Sequence, residues 1–402
     1  MADLQPEELR VVLYSHDSQG LGHTRRNLAI AHALSAGLPG HANRKVTGLL
    51  VTGESSATRF DVPAGWDWVV LPGIRKSTEG YRPRHLTIGQ DALIQLRMHM
   101  IDAVFDRFRP HLVVVDRHAF GVDGELGQAL TNLRLRRPAC KVVLGLREVL
   151  DSPHAMEQEW SRMGGIDVLA PVFDQIWVYG DPAIHDPLGT GEIPGTLGPL
   201  VRYTGYLAAG RVSRGRSTPV GQPYVLTMAG GGSDGLALLL AAAGAEVPEG
   251  YGHLVITGPQ MPKEHRRLVE RAAGPGTSVV VKVRDALSEI EGASAIVSMG
   301  GYNSVSEIMT TSAPALIVPR TEPRMEQLIR ASALARHGVV EMCHPDDLSP
   351  ELIGAWFGRA AGTRVGRSTV DLTGVAALAP LAAELLATEA GSQDRRWVHA
   401  AV

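Results

Sequence analysis

Short apolar runs recur along the chain, and nearly every one is followed by a glycine or polar turn and then a stretch with helical spacing. In the amino half the runs are residues 11–15, 46–52, 68–71, 111–115, 141–146 and 175–179. In the carboxyl half they are residues 224–228, 253–257, 278–281, 295–298 and 315–318. Residues 27–34, 87–108 and 126–134, and a stretch ending at Ala243, place apolar side chains at helical intervals between them. A short apolar run without polar alternation suits a strand covered on both faces. Strands that alternate with helices predict an α/β fold, a parallel sheet with helices on both sides.

The alternation changes character once. Residues 181–222 hold Pro182, Pro187, Pro194, Pro199, several glycines and the polar run 211–218, and read as a connector. The expectation is two Rossmann-like domains facing a cleft, residues 1–203 and 204–375, with residues 376–402 forming a helix that packs back toward the first. A chain of 402 residues is long enough for both. Hydrophobic content of 44% and charged content of 20% are those of a soluble globular protein, and a net charge of -3 argues for no nucleic-acid partner. Cys140 and Cys343 lie far apart without metal-ligand spacing, and residues 1–10 carry acids and no apolar signal core. Both point to a cytoplasmic chain with buried thiols. No apolar run reaches the roughly 18 residues of a membrane span.

The chemistry gathers at the turns. Ser298-Met299-Gly300-Gly301-Tyr302-Asn303-Ser304-Val305-Ser306-Glu307 joins a strand to a helix start. Glycines there let an anion approach the free backbone N–H groups and the positive end of the helix dipole. Asn303 and Ser304 add side-chain donors, while the Glu307 carboxylate suits a sugar diol. Ser304-x-x-Glu307 also matches a capping box, in which the pair merely satisfies the helix's own backbone. A second such turn, Gly230-Gly231-Gly232-Ser233, follows the strand at 224–228, and two of them facing one crevice suit a diphosphate. After the strand at 315–318, Arg320 and Arg324 can neutralise phosphate, and Glu326 and Gln327 can bond sugar hydroxyls. Arg284 joins this donor-side set. In the amino half a Gly20-x-Gly22-His23 turn follows the first strand, without the third glycine or the later acid of a dinucleotide fingerprint, so a nicotinamide cofactor is not expected.

These residues resemble a known pattern. Gly301, Ser304, Val305, Ser306, Glu307, Val318, Pro319 and Gln327 match the C-terminal signature of family 28 glycosyltransferases, the group of the peptidoglycan enzyme that adds N-acetylglucosamine to lipid I. The turns at Gly231–Ser233 and Gly20–His23 are similar to its other glycine loops. The resemblance implies the two-domain GT-B fold and a UDP- or dTDP-type sugar donor in the carboxyl half. Glu307 would hold the ribose, and Gly231, Gly232, Ser233 and Ser304 would lie near the diphosphate. The chain has Glu326-Gln327 where the peptidoglycan enzyme carries two glutamines, which leaves the donor sugar open.

Transfer requires a stabilised leaving diphosphate and a base for the acceptor hydroxyl or amine. Helix starts and glycine loops supply the first without metal. A histidine near its ordinary pKa supplies the second. His23 is the first candidate, with Asp116 as orienting acid; His16 and His118 are rivals, and His23 can instead cap its turn or touch phosphate. Gly22, His118, Arg147 and Glu148 form the expected acceptor side, and the family geometry implies inversion. A 2-epimerase of the same fold, using Asp116, Glu148 and Glu326 as acids and bases, and a non-catalytic nucleotide-sugar binder are the alternatives. The acceptor, a small molecule or a lipid-linked one, is not legible. Arg82, Arg84, Arg107 and Arg109 leave peripheral membrane contact open.

Overall fold

The computed structural model describes residues 8–16, 22–42, 44–77, 80–208 and 222–388. The polar run 211–218, the part of the first glycine turn before Gly22 and the tail from residue 389 lie outside the described residues. The amino half runs β1 (Leu9–Tyr14), α1 (Gly22–Ala42), β2 (Val46–Thr52), β3 (Trp66–Val70), β4 (Ile74–Ser77), β5 (Gly80–Pro83), α2 (Gln90–Phe108), β6 (Leu112–Asp116) and α3 (Gly127–Arg136). It continues with β7 (Lys141–Arg147), α4 (Pro153–Arg162), α5 (Ile166–Leu169), β8 (Gln175–Tyr179) and β9 (Val201–Tyr203). The carboxyl half runs β10 (Tyr224–Met228), α6 (Leu236–Ala243), β11 (Gly252–Ile256), α7 (Lys263–Ala272), β12 (Thr277–Val280), α8 (Ala286–Gly292) and β13 (Ala295–Ser298). It ends with α9 (Tyr302–Met309), β14 (Ala315–Ile317), α10 (Glu326–Arg336), β15 (Glu341–Met342), α11 (Pro350–Ala360) and α12 (Gly374–Ala387).

Two parallel sheets result, in the orders β3-β2-β1-β6-β7-β8-β9 and β12-β11-β10-β13-β14-β15. In each, the chain steps outward from its first strand, then crosses back and continues on the other side. The reversal lies between β1 and β6, where Tyr14 pairs with Val115, and between β10 and β13, where Met228 pairs with Ser298. A reversal of this kind opens a crevice at the carboxyl ends of the strands, where ligands bind in open α/β sheets. Every residue of β6, β8 and β11 is buried, because helices cover both faces.

α12 returns to lie on α1. A Cβ on Gly37 would sit 2.4 Å from that of Ala379, so the glycine lets the two helices touch. One apolar cluster runs from Leu13 and Leu34 through Leu378 and Ala382 to Ile296 and Ile308, joining the halves in a shared core.

Several expectations need correction. α1 starts five residues before the expected 27–34, because polar side chains of its first turns find buried partners. The 181–222 connector contains β9, which extends the first sheet by a short edge. Of the helix expected at 376–402, the described part is α12, which starts two residues earlier, at Gly374. An antiparallel hairpin, β4 with β5, interrupts the alternation in the amino half.

Candidate functional site

In the first crevice, the end of β1 supplies His16, the end of β6 supplies Asp116, Arg117 and His118, and the first turns of α1 supply His23 and Arg26. His23 and Arg26 stand one helical turn apart and so share a face. His23 Nδ1 lies 2.6 Å from Asp116 Oδ2. Arg26 Nη2 donates to both Asp116 oxygens, at 2.8 and 2.7 Å. Burial alone would raise the Asp116 carboxyl, but Arg26 and then His23 hold it well below the usual carboxylate range. An anionic Asp116 favours the His23 tautomer with its proton on Nδ1, against the pull of Arg26 Nη2, which stands 3.0 Å from the same nitrogen. Nε2 is then the basic nitrogen, turned away from the acid.

His16 packs edge-on between the rings of His23 and His118, at centroid distances of 4.7 and 4.4 Å. Burial, reinforced by His23, pushes the His16 pKa well down, and burial does the same for His118. Both are neutral near pH 7. Arg117 adopts a left-handed φ of 67°, unusual for a side-chain-bearing residue, and its guanidinium donates to Glu159 at 2.6 and 3.0 Å.

The second crevice brings the two glycine turns of the carboxyl half side by side. Gly232 has φ 87°, and a Cβ there would lie 2.0 Å from the Thr257 carbonyl oxygen. This turn is therefore pressed against the turn that follows β11. Ser233 is exposed at its tip, and Arg284 is exposed on the loop between β12 and α8. Gly301 precedes the first residue of α9, with no side-chain cap. Ser304 is thus the third residue of the helix rather than its cap, and the capping-box alternative falls. Arg320 donates through its backbone N–H to Gln327 Oε1 at 3.0 Å and through Nη1 to Asp234 at 2.7 Å.

The crevices face one another and meet. Asn303 Nδ2 donates to the Gly22 carbonyl at 2.9 Å, and Arg25 Nη2 donates to Glu307 Oε1 at 2.7 Å. Arg147 pairs with Glu326 at 2.5 Å, and Arg330 with Glu148 at 2.6 Å. The Asp151 carboxylate accepts from the Met325 backbone N–H at 3.1 Å, and Arg324 lies 4.0 Å from Asp151 and 3.9 Å from Glu159. Arg147 and Glu148, expected on the acceptor side, are therefore partners of the carboxyl half. Burial raises the Glu326 carboxyl, but Arg147, Arg330 and Arg320 outweigh it and bring its pKa to about 2.

Five residues central to this junction were not singled out in the sequence: Arg25, Arg26, Glu159, Tyr302 and Arg330. Arg26 and Arg330 both lie over the Tyr302 ring, at 5.5 and 5.8 Å from its centroid. Arg25 and Arg26 stand two and three residues after His23, and Arg330 sits one turn beyond Glu326. Those spacings were the available signal.

No protein-family model matches the chain, and no curated protein sequence does. Solved structures do match over nearly its full length. The glycosyltransferase VinC, solved in complex with dTDP, aligns with TM-score 0.58 and 15% identity over 94% of this chain and 95% of its own. The calicheamicin glycosyltransferase CalG4 aligns with TM-score 0.55 and 16% identity over 99% and 100%. MurG of Acinetobacter baumannii aligns with TM-score 0.52 and 16% identity over 95% and 99%. The fold is GT-B, as the sequence resemblance implied.

Proposed function

We propose that the protein is a glycosyltransferase that moves a sugar from a UDP- or dTDP-type donor to an acceptor hydroxyl or amine, with inversion and without metal. The observation that carries this reading is the His23–Asp116 pair, set beside the start of α9 by the bond from Asn303 to the Gly22 carbonyl. The solved neighbours are glycosyltransferases, and VinC carries dTDP, which supports a nucleotide-sugar donor.

On this reading the diphosphate lies against the turns at Gly231–Ser233 and Gly300–Gly301, whose N–H groups and helix dipoles take up the charge of the leaving group. Glu307 receives the ribose. His23 Nε2 removes the acceptor proton as the acceptor attacks the anomeric carbon and the bond to the diphosphate breaks. Asp116 holds the resulting imidazolium. A single displacement inverts the anomeric centre.

The epimerase alternative needs acids able to lend a proton to the sugar. Asp116 and Glu326 are held anionic by arginines, and Glu148 is bound by Arg330. That disfavours it. A purely binding role predicts no turnover with any acceptor.

The test is thermal stabilisation by a panel of nucleoside diphosphates, with Glu307→Ala in parallel. A nucleotide at about 100 times its dissociation constant adds about 2.7 kcal/mol. One nucleotide should stabilise the wild type and fail to stabilise a folded Glu307→Ala. A panel in which none stabilises the wild type removes the donor-site reading.

A further inference from the structure

Two acceptors compete for Arg26 Nη2. It donates to both Asp116 oxygens, and it also stands 3.0 Å from His23 Nδ1. A guanidinium that turned to donate to Nδ1 would make that nitrogen the acceptor and move the ring proton to Nε2. His23 would then have no bare nitrogen for an acceptor's proton. Over Arg26 lies Tyr302, the first residue of α9, with its ring centroid 5.5 Å from the guanidinium carbon. Both residues are buried. We infer that Tyr302 is a positioning residue for His23, its ring holding the Arg26 guanidinium on Asp116 and off His23 Nδ1, so that Nε2 stays bare. The inference rests on the reading of His23 as the base given above.

A guanidinium over an aromatic face is attracted by the ring quadrupole, and burial strengthens the attraction by removing competing water. The ring is itself fixed in place. Its hydroxyl accepts from the Leu207 backbone N–H at 3.1 Å, and the Tyr206 ring stacks on it at 6.2 Å and 20°. Arg330, bound to Glu148, lies over the same ring at 5.8 Å. On the amino side the Tyr179 ring lies 6.0 Å from the Arg26 guanidinium carbon. His23, Arg26 and Asp116 all belong to the amino half, whereas Tyr302 belongs to the carboxyl half. The half that carries the donor turns thereby sets the tautomer of the base in the other.

The experiment is ring-nitrogen NMR of the full chain with isotope-labelled histidines, at mildly alkaline pH. The wild type is compared with Tyr302→Leu, Tyr302→Phe and a chain carrying trifluorophenylalanine at position 302. The signals lost in His23→Ala are those of His23. The wild type should show His23 protonated on Nδ1 and bare at Nε2. Tyr302→Leu should shift the pair toward the opposite tautomer, and Tyr302→Phe should restore it. Trifluorophenylalanine keeps the shape of the ring but weakens its negative face, so it should act as leucine does. His253, buried in the carboxyl half against Phe357, is the reference for an intact fold, and its signals should stay fixed. A wild-type His23 pattern in Tyr302→Leu or in the trifluorophenylalanine chain overturns the inference and leaves the base standing. If leucine moves His253 as well, the trifluorophenylalanine chain decides. A wild type already protonated on Nε2 overturns the inference together with the reading of His23 as the base.

Discussion

The Asn303 side-chain amide donates to the Gly22 carbonyl across 281 positions of sequence, at 2.9 Å. The bond joins the first turns of α1 and α9, one from each half. Each follows a strand at the reversal of its own sheet, so two crevices built by the same rule are brought face to face. His23, next to Gly22, is thereby placed beside the start of α9.

From this placement, His23→Ala is expected to lower kcat roughly 100- to 10,000-fold, the range of a lost general base. Nucleotide binding should persist, because His23 stands on the opposite half from the glycine turns. Steady-state kinetics beside calorimetry check both. Asp116→Asn should also slow turnover by disturbing the tautomer. It should destabilise the fold as well, by about 3–5 kcal/mol, since Arg26 would stay buried without its counter-charge.

Among the described residues, Arg330 and Glu148 make the deepest ion pair between the halves, with side chains 1% and 0% exposed. Arg330 also donates to the Gly300 carbonyl at 3.1 Å, tying the pair to the second glycine turn. Glu148→Ala is expected to cost about 3–5 kcal/mol in urea unfolding, because a guanidinium is left buried and unpaired. The double variant Glu148→Leu with Arg330→Met should recover most of that loss. If the double is no better than the single, the cost does not come from the stranded charge.

The strands at Gln175–Tyr179, Tyr224–Met228 and Ala295–Ser298 were legible to the residue, because each is a short, largely apolar run with a turn close behind it. β9 and β15 were not, since a strand of three or two residues carries no period to read. The placement of Asp116 near His23 followed from topology, since Asp116 ends β6 and His23 opens the helix that follows the neighbouring β1. The pair Arg330–Glu148 spans 182 positions and exists only once the halves close, so no local pattern announces it. The same holds for Arg25 and Glu307. Sequence read Arg147 and Glu148 as acceptor-facing because they end a strand, and their partners come from the half that covers that end.

Acid should weaken the fold in two windows. Burial brings the His253 pKa from 6.5 down to about 4. The unfolded chain then binds the extra proton first, so stability falls as pH drops from 6.5 toward 4. Glu326 is depressed from 4.5 to about 2, so its contribution is complete above pH 4.5 and is lost as pH falls toward 2. Its full loss amounts to roughly 3 kcal/mol. Urea unfolding across this range should show both declines. Glu326→Gln should reduce the lower one, to which Asp116 and Glu159 also contribute, and leave the upper one in place; a lower decline unchanged in that variant would count against the pairing with Arg147.

Gly301 offers a test that separates folding from binding. Its φ of -62° and ψ of 142° are open to any residue, and a Cβ there would meet nothing within 4 Å. The fold therefore has no steric need for glycine at this position. An anion at the start of α9 does need it, because a side chain would stand between the phosphate and the backbone N–H groups. Gly301→Ala is expected to leave the melting temperature near that of the wild type and to weaken binding of a nucleoside diphosphate about tenfold or more, the worth of a charge-assisted hydrogen bond. Gly232→Ala is the contrasting case. Its Cβ would collide with the Thr257 carbonyl at 2.0 Å, so folding itself should suffer. Thermal melts and calorimetry on the two variants decide the matter. If Gly301→Ala binds nucleotide as the wild type does, the diphosphate does not rest on α9.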